Sequence, residues 1–432
     1  MLRRSTSIGS WRSARPRIRR KRTRPGARSA RPRCAGRDVT AFTGIRVLDL
    51  SRVLAGPSCG QMLADFGADV IKVEDVGGDE NRKWAPVIDG QSANFLSVNR
   101  GKRGMTLNLK SRSGQEVLAA LVSKADVVID SFLPAVARRL GVDDATLRAL
   151  RPDLVHASIS GYGHEGPLAD KPGYDLMLQA FSGMMAMTGE REGGPIRAGA
   201  SFIDMATGLL AFSGIATALY ARQAGKSGGQ HIRVSLMETA IALLGYHVPA
   251  YTMGGKVPPR DGSGVWHIVP YQAFATQDGH VLAGATNDAA WQRLCSAIGA
   301  TALAADPTFA TAALRIENRD RVIPALAAIF ATRPTADWVD ALDAANVPCA
   351  PVNDISQTLA HPQIAAMKMV LEVARRDGGS MPLVGVPLNL SATPAAPGGA
   401  PPLLGEHTDA ILRGELGLDE ARIAALREEG AI

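Results

Sequence analysis

The chain has 432 residues, 46% hydrophobic and 21% charged, which is enough for a buried core and for two or three domain-sized units. Its longest apolar stretch, Gly208–Ala221, is shorter than the roughly 18 residues of a membrane-crossing helix, so no membrane partner is expected. The formal charge of +7 is uneven: residues 1–37 hold fourteen Arg and Lys and no acid, which leaves −7 on the remainder. The basic segment 1–38 should be disordered, being Pro-rich and nearly free of apolar residues. It fits a translated leader upstream of the true start, a transit peptide directed at an organelle, a solvated arm, or a nonspecific nucleic-acid contact. The first of these fits best, and no specific nucleic acid is expected.

From Gly44 the pattern becomes regular. Ile45–Leu50 reads as a strand, Gly56-Pro57 opens a helix that runs to about Phe66, and Val70–Val73 is a second strand. Further strands are expected near Thr106–Leu109, at Val127–Ile129 and at Val155–Ile159, with helices over Gly114–Lys124 and Ala135–Leu140 between them. This alternation means βαβ units and a parallel sheet covered on both faces, an α/β fold. Tyr174–Thr188 and Met205–Arg222 read as helices rich in small residues, and Gln230–Ser235 as one more strand. Beyond the Pro/Gly-rich stretch ending at Gly264, a hairpin around Gln277-Asp-Gly279 precedes helices at Asp288–Ile298, Arg319–Ala331 and Thr335–Ala345, a smaller α+β domain. Helices over Glu406–Gly414 and Glu420–Glu429 close the chain.

Cys34, Cys59, Cys295 and Cys349 form no C-x-x-C pair, which argues against a zinc ribbon or dithiol site and for a reducing, cytoplasmic setting. No H-E-x-x-H occurs, and no metal is expected. Glu74 ends the second strand where a ribose-binding acid would stand. The preceding turn, Ser51–Gly60, contains no G-x-G-x-x-G, so Glu74 is expected to be a surface acid and an NAD site is not. Lys102, Arg103, Lys110 and Arg112, with Arg138 and Arg139, are either solvated or converge on a phosphate at the strand ends. Asp204 directly precedes a helix, as an N-cap would; the same position would keep a carboxylate ionised and aimed, as covalent catalysis requires. A stripe of Met184, Met185 and Met187 reads as core, or less readily as pocket wall.

Several runs resemble the class III CoA-transferase family, which includes formyl-CoA transferase and L-carnitine CoA-transferase. They are Gly44–Pro57, Gly67–Glu74, Asn99–Arg103 with Leu107–Lys110, Ala125–Phe132, Pro172–Asp175, Gly228–Gln230 and Leu404–Thr408, in family order from about residue 44 to the C-terminus. The resemblance implies an interlocked homodimer, each chain having a large Rossmann-like domain built from both its ends and a smaller domain. The corresponding segments are 39–235 and 371–432 for the large domain, 262–345 for the small one, and linkers at 236–261 and 346–370.

The resemblance also implies that Asp204 attacks an acyl-CoA thioester, giving an anhydride and then an aspartyl-CoA thioester, with CoA esters as substrates and no permanently bound cofactor. Leu54, Ala55, Leu107, Asn108, Leu109, Lys110, Ser131, Phe132 and Arg139 would bind CoA, with Lys110 and Arg139 on phosphates. Tyr174 and Asp175 would line the acyl site, and Gly262 and Gly264 would belong to a closing glycine loop. Formyl-CoA transferase has arginine in place of Asp75 and asparagine in place of Ser131. Related acyl-CoA racemases, the alternative reading, use a histidine where Tyr174 stands, and a tyrosine does not titrate near neutrality.

Overall fold

A computed structural model describes residues 40–432; the basic segment 1–38 lies outside the described residues. Six parallel strands form the main sheet: β1 (Arg46–Asp49), β2 (Asp69–Glu74), β3 (Arg103–Thr106), β4 (Val127–Asp130), β5 (Val155–Ser160) and β6 (Gln230–Ser235). Their order across the sheet is β3-β2-β1-β4-β5-β6, the order of a doubly wound nucleotide-binding sheet. Both faces are covered, so side chains that alternate along a strand enter two different cores. Val47 packs with Val70 and Val127 on one side, and Leu48 packs with Ile71 and Met105 on the other.

Helix α1 (Ala55–Asp65) lies on the Val47 face through Cys59 and Leu63. Helix α2 (Arg112–Val122) covers the Leu48 face with Val117, Leu118, Leu121 and Val122, the helical spacing legible in the sequence. The strand expected at Thr106–Leu109 ends at Thr106 instead. Asn108 there turns the chain, its carbonyl accepting the Ser111 N–H at 3.1 Å and the Ser111 hydroxyl at 2.9 Å, while Ser111 caps α2. Helix α3 (Pro134–Leu140) follows β4, with proline in its first turn and Gly141 in the left-handed conformation that ends it.

The middle helices are α4 (Asp175–Phe181), shorter than the expected Tyr174–Thr188, and α5 (Phe202–Gln223). At 22 residues α5 is long and apolar enough by composition to cross a membrane. Here it packs against α1, and Gly208 permits the approach: a Cβ there would stand 2.0 Å from the Ser58 Oγ and 2.6 Å from the Ala55 carbonyl. The expected linker 236–261 contains helices α6 (Leu236–Leu243) and α7 (His247–Gly254). Ser235 caps the first of them: its hydroxyl accepts the Glu238 N–H at 3.0 Å and donates to the Glu238 carboxylate at 2.6 Å.

A second sheet joins β7 (Tyr271–Ala275), β8 (His280–Gly284) and β9 (Cys349–Pro351). Helices α8 (Asp288–Ala297), α9 (Arg319–Phe330) and α10 (Thr335–Ala344) pack on it around Trp291, Phe330 and Trp338. A hairpin the sequence reading missed, β10 (Val370–Ala374) with β11 (Ser380–Val384), follows. The final helices α11 (Thr408–Leu416) and α12 (Glu420–Glu428) return to the first core, burying Ile411, Leu412, Ile423 and Leu426 against the α2 face. Each such fully buried aliphatic side chain contributes about 1.5–3 kcal/mol.

Candidate active site

Strand order reverses between β1 and β4, and in such sheets the crevice at the carboxyl ends of those strands is where ligands bind. A cavity of about 200 Å³ opens there, walled by Arg52–Gly56 after β1, Ser131 and Phe132 after β4, Gly161 after β5, Tyr174 and Asp204. A second cavity of about 660 Å³ lies on the other side of β1, walled by Asp75–Glu80, Lys83, Leu107, Leu109, Lys110 and Arg139. Arg52, Glu80, Phe132 and Val136 line both, so the two adjoin.

Asp204 sits in the first turn of α5, and the capping of that turn falls to another residue. One carboxylate oxygen of Asp175 accepts the N–H of Ile203 at 2.8 Å and of Asp204 at 3.1 Å; its other oxygen takes the Gln179 amide at 2.5 Å. The Asp204 carboxyl has no hydrogen-bond partner among the described residues and is only 9% exposed. Burial first, then the charge of Asp175, push its pKa up to about 7. The expectation of a fully ionised Asp204 therefore needs correction: the helix N-terminus stabilises Asp175, and Asp204 stands desolvated beside it.

The loop before α1 is held by two buried lysines. Lys102 donates to the Asp49 carboxylate at 2.8 Å and to the Pro57 carbonyl at 2.7 Å, and Lys72 donates to Asp79 at 3.1 Å. Burial draws the Lys102 pKa down to about 8, with Asp49 offsetting part of the effect. Lys102 is thus neither a solvated cation nor a phosphate ligand. Glu74 is likewise no surface acid: it is buried and pairs with Arg82 through two 2.7 Å bonds.

The chain matches the model of CoA-transferase family III over residues 42–408. The chain belongs to CoA-transferase family III. Among its relatives, an acyl-CoA transferase of Fusarium pseudograminearum is 39% identical, covering 91% of this chain and 88% of its own. The succinyl-CoA:glutarate CoA-transferase of Mus musculus is 34% identical over 94% of both chains. A crystal structure of a CAIB/BAIF family protein from Brucella suis superposes with a TM-score of 0.79 at 35% identity, covering 88% of this chain and all of that one. The activity of the family is CoA transfer between acyl-CoA donors and carboxylate acceptors.

Of the residues that the family resemblance singled out, Leu54, Ala55, Ser131, Phe132, Tyr174 and Asp204 line the first cavity. Leu107, Leu109, Lys110 and Arg139 line the second, together with Phe132. Lys110 pairs with Asp75 at 3.5 Å on the exposed rim, so a phosphate there would compete with that acid. Four singled-out residues lie elsewhere: Asp175, expected in the acyl site, lines neither cavity and instead directs its carboxylate to the N–H groups of Ile203 and Asp204. Asn108 is turned to the Gly430 carbonyl at 3.0 Å, and Gly262 and Gly264 line neither cavity, a Cβ on Gly262 meeting the Glu190 carboxylate at 2.8 Å. Arg52, Glu80 and Lys83 were missed; their place directly after a strand of a parallel sheet was the available signal for Arg52.

Among the described residues Asp144, His156 and His231 hold donor atoms within 4.8 Å of one another. Their own contacts account for the grouping. Burial alone would depress the His156 pKa, but Asp130 at 2.8 Å and Asp144 at 3.4 Å outweigh it and push it up to about 9. The His156 ring stacks parallel on His231 with centroids 4.6 Å apart.

Proposed function

We propose that this chain transfers CoA through a covalent cycle on Asp204. The observation that carries the reading is a buried, unpartnered carboxyl group facing a small cavity that adjoins a larger one edged by Lys83, Lys110 and Arg139. A carboxylate oxygen of Asp204 attacks the thioester carbon; a C–O bond forms, the C–S bond breaks, and its electron pair leaves on sulfur as the thiolate. The thiolate then attacks the aspartyl carbon of the mixed anhydride, forming aspartyl-CoA and releasing the donor acid as its carboxylate. An acceptor carboxylate reverses the sequence and departs as its CoA ester, restoring Asp204. The free energy of the thioester stays in covalent form throughout, so no ATP is needed.

The larger cavity suits the nucleotide end of CoA, with Lys110 and Arg139 toward its phosphates, and the smaller one suits the acyl group. Arg52 is the one cationic side chain lining the smaller cavity among the described residues, which favours a dicarboxylic acyl group, in keeping with the succinyl and glutarate specificity named for the mouse relative. Exposed Leu209, Leu243, Tyr251 and Met253 on α5, α6 and α7 give an apolar surface of the kind an interlocked second copy would cover.

The test is a quench of the enzyme with succinyl-CoA in hydroxylamine, followed by peptide mass spectrometry. The expected product is the hydroxamate of Asp204. Wild-type transfer rates in Asp204→Asn would overturn the assignment.

A further inference from the structure

After β1 the chain adopts a conformation that its own sequence opposes. Val53 has φ +68°, in the left-handed region that a β-branched residue avoids. Its surroundings impose this. Both carboxylate oxygens of Asp79 accept the Val53 N–H, at 3.3 and 3.1 Å, and the Asn81 amide donates to the Val53 carbonyl at 2.5 Å. Lys72 bonds Asp79 and also the Ser51 carbonyl. Lys72, Asp79 and Asn81 are all but completely buried. On the other flank Asp49, paired with Lys102, takes the Ser51 N–H at 3.1 Å. A buried ion pair is a poor stabiliser compared with apolar packing, so two of them gripping one short loop call for another reason.

The loop delivers Leu54, Ala55 and Gly56 to the start of α1. Their N–H groups precede the first internal bond of that helix, from the Ser58 N–H to the Leu54 carbonyl at 2.8 Å, and Pro57 has no N–H to offer. All three residues line the small cavity, and the unpartnered carboxyl group of Asp204 lines the same cavity. We propose that Lys72, Asp79 and Asn81 are positioning residues for acyl transfer: by holding Val53 left-handed they aim the open N–H groups of α1 at the oxygen of the carbonyl group whose carbon Asp204 attacks. As the new C–O bond forms, the carbonyl π pair moves onto that oxygen. It returns when the C–S pair leaves on sulfur, and donors fixed beforehand stabilise the charge in between. The inference rests on the Asp204 reading above.

The experiment uses the full chain with succinyl-CoA as donor and glutarate as acceptor. Asp79→Asn should lower kcat by about 10-fold or more, the scale of losing preorganised donors, with KM for succinyl-CoA changed less than about 3-fold. Adding Val53→Gly to that variant should recover several-fold of the lost kcat, because glycine takes a positive φ without strain. A merely structural clamp would give no such rescue. Unchanged kcat in Asp79→Asn, or a loss that Val53→Gly leaves in place, overturns the proposal. Should Asp79→Asn fail to fold, Asn81→Leu gives the same readout. An active Asp204→Asn sinks the covalent reading itself, whereas an inactive Asp204→Asn beside a fully active Asp79→Asn sinks only the clamp.

Discussion

The Asp175 carboxylate accepts the backbone N–H of Asp204 at 3.1 Å, while the carboxyl of Asp204 itself accepts no hydrogen bond from the described residues. Two acids thus share one helix terminus: one is satisfied by the backbone, and the other is left without a partner among the described residues. In the covalent cycle proposed above only the ionised form of Asp204 would attack a thioester, and burial, then the Asp175 charge, push its pKa up to about 7. kcat/KM for the acyl-CoA donor should therefore rise with pH through an inflection near 7. Asp175→Asn, which removes the second of the two causes, should move that inflection downward. An inflection in the ordinary carboxylate range near pH 4 in the wild type would contradict the arrangement.

The same group has a consequence for stability. Its folded-state pKa of about 7 exceeds the ordinary aspartate value of 3.8, so the native state binds the extra proton across that window and stability falls as pH rises through it. Above pH 7 the full penalty is present, on the order of 2–4 kcal/mol. Asp204→Asn should accordingly melt several degrees higher than wild type at pH 8 and show little difference at pH 4. Equal melting temperatures at pH 8 would show that the carboxyl group is better solvated than its burial implies.

Gly208 lies one turn beyond Asp204 on α5, against α1. Gly208→Ala would put a methyl carbon 2.0 Å from the Ser58 Oγ and 2.6 Å from the Ala55 carbonyl, and the carbonyl cannot swing away. A loss of about 1–3 kcal/mol is expected on chemical denaturation. Because both helices carry residues that line the small cavity, Asp204 on one and Ala55 and Gly56 on the other, kcat should fall as well. Unaltered kcat would show that the helix spacing does not set the reaction geometry.

Arg52 faces both cavities with its side chain half-exposed, 4.0 Å from Glu80. A charge-assisted contact to a distal carboxylate is worth about 1.5–3 kcal/mol, or roughly 10- to 100-fold. Arg52→Ala should raise KM for succinyl-CoA by that factor and leave acetyl-CoA nearly unaffected. Equal losses with both donors would assign the guanidinium to CoA itself.

The parallel sheet and the position of Asp204 were legible because they rest on local signals: the alternation of short apolar runs with helical spacing, and an acid at a helix start. What escaped the sequence depends on pairing at a distance. Asp175 caps α5 from 29 residues away, so its role is invisible in the run around Asp204. Lys102 read as solvated or as a phosphate contact, and Lys72 within β2 drew no reading of its own, since a lysine is almost never buried unless paired and the partners of both come from other segments. Helices α6 and α7 lack a polar face, because they present apolar side chains outward, and so gave no amphipathic period.

The unequal size of the two adjoining cavities has a kinetic corollary. A ligand that fills both is moored by its bulky end, while the roughly 200 Å³ chamber can empty and refill. The donor acid could then be exchanged for the acceptor acid through the small chamber while CoA stays moored, leaving only at the end of the turnover as the product ester, with long fatty chains sieved out.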